Sequence, residues 1–182
     1  MKKTLIAMGM IMTACAAYSS ATLAAADGTG TIKFTGTITD STCVVTAGDG
    51  TTPNFDIKMG TIAKADLSGG VGRTAGAHSL IVNLSECPAD LTKASVRFAG
   101  ENDLVDTKML SLTQDEGVAT GVAIQFTDEK YTPLVLGQTP TNSIAIVEGK
   151  ASLPYYARYI ATKDTVTSGP ANSTASYTVV YN

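Results

Sequence analysis

Apolar and polar residues alternate with a period of two along much of the chain. The pattern is clear in His78-Ser79-Leu80-Ile81-Val82-Asn83-Leu84, in Ala94-Ser95-Val96-Arg97-Phe98 and in Val122-Ala123-Ile124-Gln125-Phe126. It recurs from Ser152 to Tyr159, in Ser176-Tyr177-Thr178-Val179-Val180-Tyr181, and near the start in Thr31-Ile32-Lys33-Phe34-Thr35. Alternation built from β-branched and aromatic residues predicts strands with one buried face. Turn-forming residues separate them, at Asp49-Gly50, Ser68-Gly69-Gly70, Ala99 to Asn102, Gly137 to Pro140 and Ser168-Gly169-Pro170. Many short strands at near-regular spacing predict an all-β domain, two sheets packed as an immunoglobulin-like sandwich. Leu104 to Leu112 is the one candidate for a helical turn, and no capped helix of useful length stands out. No internal repeat or linker to a second domain is visible.

The first residues follow a different pattern. Met1-Lys2-Lys3 is a positive head, Thr4 to Ala17 is almost wholly apolar and uncharged, and small residues run from Ser19 to Ala26. These are the three regions of a secretory signal peptide, with cleavage expected after Ala25. The apolar run falls short of the roughly 18 to 20 residues that span a bilayer, and no later stretch reaches that length. A lipoprotein leader with Cys15 after Met12-Thr13-Ala14 is the competing reading, but Met fits poorly at the first position of that motif. The chain is therefore expected to be exported and soluble, with residues 1–25 removed.

Export changes the count of charges and cysteines. Without the leader, 11 basic side chains face 16 acidic ones, a formal charge of −5. A mildly acidic surface argues against nucleic acid and anionic membrane as partners. Two cysteines remain, Cys43 and Cys87, which in an exported domain most simply form one disulfide. Two buried free thiols are the alternative. A Cys-and-His metal site is weaker, because His78 is the single histidine.

Catalytic constellations are hard to assemble from this sequence. A Ser-His-Asp group would need His78, which opens a strand-like run beside Ser79 and reads as an edge position. The histidine cluster of a copper–zinc dismutase is absent. Asp115-Glu116 and Asp128-Glu129 are adjacent pairs near turns, and neighbours on a strand point to opposite faces. No glycine-rich loop opens a helix to cradle phosphate. Asn83-Leu84-Ser85 and Asn172-Ser173-Thr174 match a glycosylation triplet too short to carry weight. The residues point to a protein that is not an enzyme and needs no metal or cofactor.

The two ends of the chain are the informative parts. From Ile32 one row holds Ile32, Phe34, Gly36 and Ile38, while Thr31, Lys33, Thr35, Thr37 and Thr39 form the other. Taken alone this is an ordinary first strand with a glycine at a bulge or close approach. At the other end Ala171, Ser173, Ala175, Tyr177, Val179 and Tyr181 share one row, Gly169-Pro170 precedes it, and Tyr181 is penultimate. A short N-terminal apolar-faced strand, a cysteine soon after it and this ending resemble chaperone–usher fimbrial subunits of the type 1 family. Ala157-Arg158-Tyr159 and Cys87 after the run Leu80 to Leu84 are similar to segments of the same proteins.

That resemblance covers residues 26–182 and has concrete implications. It implies an incomplete immunoglobulin-like sandwich, residues 40–182, completed by a donor strand from a neighbouring subunit. The donor would be the extension 26–39, inserting Ile32, Phe34, Gly36 and Ile38. Gly169, Tyr177, Val179 and Tyr181 would face the chaperone or donor. Implied partners are identical or related pilin subunits, a periplasmic chaperone and an outer-membrane usher, with a host receptor left open. The implied role is structural, in a cell-surface fimbrium used in adhesion. A tip or minor receptor-binding pilin and a free-standing secreted β-sandwich are the alternatives. The family's two-domain adhesins carry an extra receptor-binding domain for which this chain has no room. Neither a sortase-type ending nor the cleavage site of a type IV pilin is present.

Overall fold

The computed structural model describes Lys33, Thr35 and residues 42–182. The expected leader, and Ile32, Phe34, Gly36 and Ile38, lie outside the described residues. Among the described residues seven strands follow in order: β1 (Val44–Ala47), β2 (Thr74–Ser85), β3 (Lys93–Gly100), β4 (Val122–Asp128), β5 (Ile144–Ala145), β6 (Ala151–Ala161) and β7 (Ala175–Tyr181). One short helix, α1 (Lys64–Leu67), lies between β1 and β2. One sheet has the order β1-β2-β6-β4 and the other β5-β3-β7, all neighbours antiparallel. This is the two-sheet, all-β architecture that the alternation predicts.

Register puts the apolar rows face to face. Leu80, Val82 and Leu84 of β2, Leu153, Tyr155 and Ala157 of β6, and Ile124 and Phe126 of β4 are buried on one side. Ala94, Val96 and Phe98 of β3 meet them from the other sheet. The Phe98 and Phe126 rings stack with centroids 4.2 Å apart, and Tyr155 meets Phe98 edge-on at 5.3 Å. Aromatic pairs of this kind stabilise beyond their area alone. The buried Tyr155 hydroxyl is satisfied by the Val96 N–H at 2.9 Å, which ties the sheets together.

Three details depart from the sequence reading. Leu104 to Leu112 contains no helix: the Asp103 carboxylate caps the Val105 and Asp106 amides, and Met109 N–H closes a turn on Asp106. Side-chain bonds to nearby amides compete with helix formation in this way. Strands β1 and β5, of four and two residues, are too short to display a period. Helix α1 is a single turn without a side-chain cap, anchored by buried Leu67.

Cys43 and Cys87 are bonded, with 44 residues of sequence separation. The bridge joins the approach to β1 with the chain just past β2. A loop of that size restricts the unfolded chain by roughly 4 kcal/mol in the chain-entropy account, an upper figure. Replacing both cysteines by serine is expected to lower the denaturation midpoint by a corresponding amount. An unchanged midpoint would show that the bridge stabilises nothing.

Candidate functional site

Strand β7 pairs with β3 along its whole length, Ala175 to Tyr181 against Gly100 to Ala94. Its other edge has no strand partner among the described residues. Facing it is Phe55-Asp56-Ile57-Lys58-Met59, where Phe55, Ile57 and Met59 are half-buried against the core and Asp56 and Lys58 are exposed. That alternation is a strand's, yet no backbone hydrogen bond joins residues 54–62 to another described residue.

Between these walls lies a trough. One cavity of about 280 Å³ is bounded by Phe55, Ile57 and Met59 on one side and Ser173 to Tyr177 on the other. Its floor is core: Leu80, Phe98, Ile124, Phe126 and Ala157 line it. A second, of about 690 Å³, lies between Ile57 to Ile62 and Ser168 to Asn172, over Leu67, Val122 and Tyr159. Ile57 and Met59 line both, so the two adjoin end to end along that wall, together a trough. Phe55 lies by Tyr177, and residues 55–59 share the first cavity with 173–177 while 57–62 share the second with 168–172, so the walls run in opposite directions. A strand laid between them would be antiparallel to one and parallel to the other.

The trough is chemically quiet. Among the described residues no group of three His, Cys, Asp or Glu gathers to hold a metal. Burial pushes the Tyr159, Tyr177 and Tyr181 phenols above their ordinary value, with hydrogen bonding from the Cys43 backbone opposing the shift at Tyr181. Burial does the same at Tyr155, against the Val96 hydrogen bond. A phenol harder to ionise when folded lends stability that is whole below the unfolded value near 10.0 and lost as pH rises through the folded one. The thermal midpoint is therefore expected to hold through neutral pH and fall above about pH 10. A midpoint unmoved well beyond that would contradict the burial of these phenols.

Tyr177, Val179 and Tyr181 all pack against the core from β7. Gly169 lines the wider cavity, but its α-carbon is also pressed on another loop. A Cβ there would overlap the Gly117 carbonyl oxygen and the Ala119 amide, which donates to the Pro170 carbonyl at 2.9 Å. Backbone on both sides leaves little to yield. Gly169→Ala is expected to cost at least about 1–3 kcal/mol, the usual range for overpacking. Calorimetry on the variant checks it, and a wild-type midpoint would refute the close approach.

Comparison with known proteins decides what kind of chain carries this trough. A family profile described as Fimbrial protein matches residues 32–182. The chain belongs to the fimbrial protein family. Long polar fimbria protein A of Salmonella typhimurium is 34% identical over 182 residues, covering 100% of this chain and 97% of that protein. A Burkholderia pseudomallei antigen and type I fimbria protein of known structure is 38% identical, covers 84% of this chain and 97% of its own, and superposes with a TM-score of 0.59. The P pilus rod subunit PapA, at 18% identity, shares the fold: TM-score 0.62 over 78% of this chain and 100% of that one. This fimbrial protein is thus an incomplete immunoglobulin-like sandwich and a structural subunit of a cell-surface fimbrium.

Sequence reasoning missed one wall of the trough. Phe55, Ile57 and Met59 were legible as a short alternating run between Pro53 and Gly60. Ile32, Phe34, Gly36 and Ile38 lie outside the described residues.

Proposed function

We propose that this fimbrial subunit polymerises by donor-strand exchange. The extension 26–39 of one copy fills the trough of the next, with Ile32, Phe34, Gly36 and Ile38 turned inward. The supporting observation is the pair of facing strand edges over a floor of core side chains. Exposed edges and apolar floor invite a strand from elsewhere, and β-addition supplies ladder bonds and side-chain burial together. Burying Ile32, Phe34 and Ile38 would contribute about 1.5–3 kcal/mol each. A register slip of one would turn Lys33 and the threonines inward.

The same exposed trough requires protection before assembly. A periplasmic chaperone lends a strand to it and an outer-membrane usher exchanges that strand for the next subunit's extension. Residues 1–25 direct export and are removed. Any host receptor would meet the outer surface of the polymer. An unheated detergent gel of surface-extracted protein tests the assembly. Strand-exchanged polymer gives a ladder that collapses to one subunit band only on strong heating. A single subunit band without heating would overturn the reading.

A further inference from the structure

Two strand edges that face each other across an apolar trough tend to pair directly. Were residues 54–59 to zip onto β7, the trough would close and no strand could enter. Something must hold the walls apart.

Among the described residues, one side-chain hydrogen bond crosses from wall to wall. The Tyr177 hydroxyl donates to the Pro53 carbonyl oxygen at 2.6 Å. The Tyr177 ring also meets Phe55 edge-on, with centroids 5.7 Å apart and planes at 67°. A strand inserted between two others sets their backbones two ladder spacings apart, roughly 9–10 Å. A phenol reaching from one backbone to a carbonyl on the other spans a gap of that order. The ring is stiff, with few rotatable bonds, so it resists compression better than an aliphatic chain would. A phenol keeps its proton at neutral pH, so the hydroxyl stays a donor.

We propose that Tyr177 is a spacer. It props the Pro53–Met59 wall one strand-width from β7 and so keeps the trough open to the strand of a second copy of this chain. This rests on the strand-acceptor reading above and adds a positioning residue to it. The competing account makes Tyr177 one more packing side chain, and the two accounts differ in what its loss does to the walls.

The test uses the full-length chain with Tyr177→Val, which removes the strut but keeps a strand-forming apolar residue, and Tyr177→Phe, which keeps the ring and loses the hydroxyl. Amide hydrogen exchange is followed on the unassembled chain, and polymer is measured on an unheated gel. With Tyr177→Val, the Asp56 and Lys58 amides should exchange at least ten-fold more slowly than in wild type, because the walls pair, and polymer should fall at least ten-fold. Tyr177→Phe should shift both in the same direction by less. Wild-type exchange in both variants overturns the spacer. So does faster exchange throughout Tyr177→Val, which marks a packing role. A wild-type chain that forms no polymer would count against donor-strand exchange, while the exchange comparison still decides the spacer.

Discussion

A chain ending at Ser176 is expected to be synthesised and exported yet to yield no polymer and little stable subunit. The deletion removes Tyr177 to Asn182, most of β7, and with it the Tyr177 end of one wall of the trough. It strips Tyr177, Val179 and Tyr181 from the core and leaves the edge of β3 bare from Ala94 to Phe98. Ala94 and Val96 are 0% exposed in the intact fold and would lose their cover. The reciprocal bonds between Lys93 and Asn182 that extend the ladder past β7, at 3.0 and 2.9 Å, also go. An unpaired edge over a bared core is an aggregation and proteolysis site. Immunoblots of the periplasm should show the truncated chain at a small fraction of wild type, and surface extracts should contain none in polymer. Normal subunit level and fibre yield would remove β7 from the acceptor role.

Much of this fold was visible in the order of its residues. The runs at 78–84, 94–98, 122–126, 152–159 and 176–181 all fall within strands, because burial on one face enforces a period of two. The structure also explains why His78 looked like an edge residue. It pairs with Ala157 on one side, while β1 covers β2 only from Val82 to Ser85. The trough was harder to foresee, since its walls are distant in sequence and only folding sets 55–62 beside 168–177. Its first wall carries five alternating residues and little β-branching, too brief a signal against a background of loops. Gly169 illustrates a different limit. A glycine before a final strand can serve a turn, a partner or a close approach, and the backbone of Gly117 to Ala119 beside it adds a close approach that the residue order does not display.

Gly36→Leu carries the other large expected effect, and it separates the subunit's own fold from its assembly. In the donor reading, Ile32, Phe34, Gly36 and Ile38 form the inward row of the strand that enters a neighbour's trough. Three of the four are large, and the glycine between them calls for a place where donor backbone and trough floor approach closely. A leucine side chain there would push into packed atoms, and overpacking of that kind costs about 1–3 kcal/mol or more. A slip of one cannot relieve it, because that exposes Ile32, Phe34 and Ile38 and buries Lys33. The cost should fall on assembly alone, since the core described by residues 42–182 contains its own two sheets and disulfide. Gly36→Leu is therefore expected to be exported and bound by its chaperone at near-normal level, to melt as wild type does when isolated as a monomer, and to form few or no fibres. A free-standing sandwich with its own N-terminal strand folded in would show the reverse, a destabilised monomer. Thermal midpoint and fibre yield measured on the same variant distinguish them. A variant that polymerises normally would take Gly36 out of the donor row.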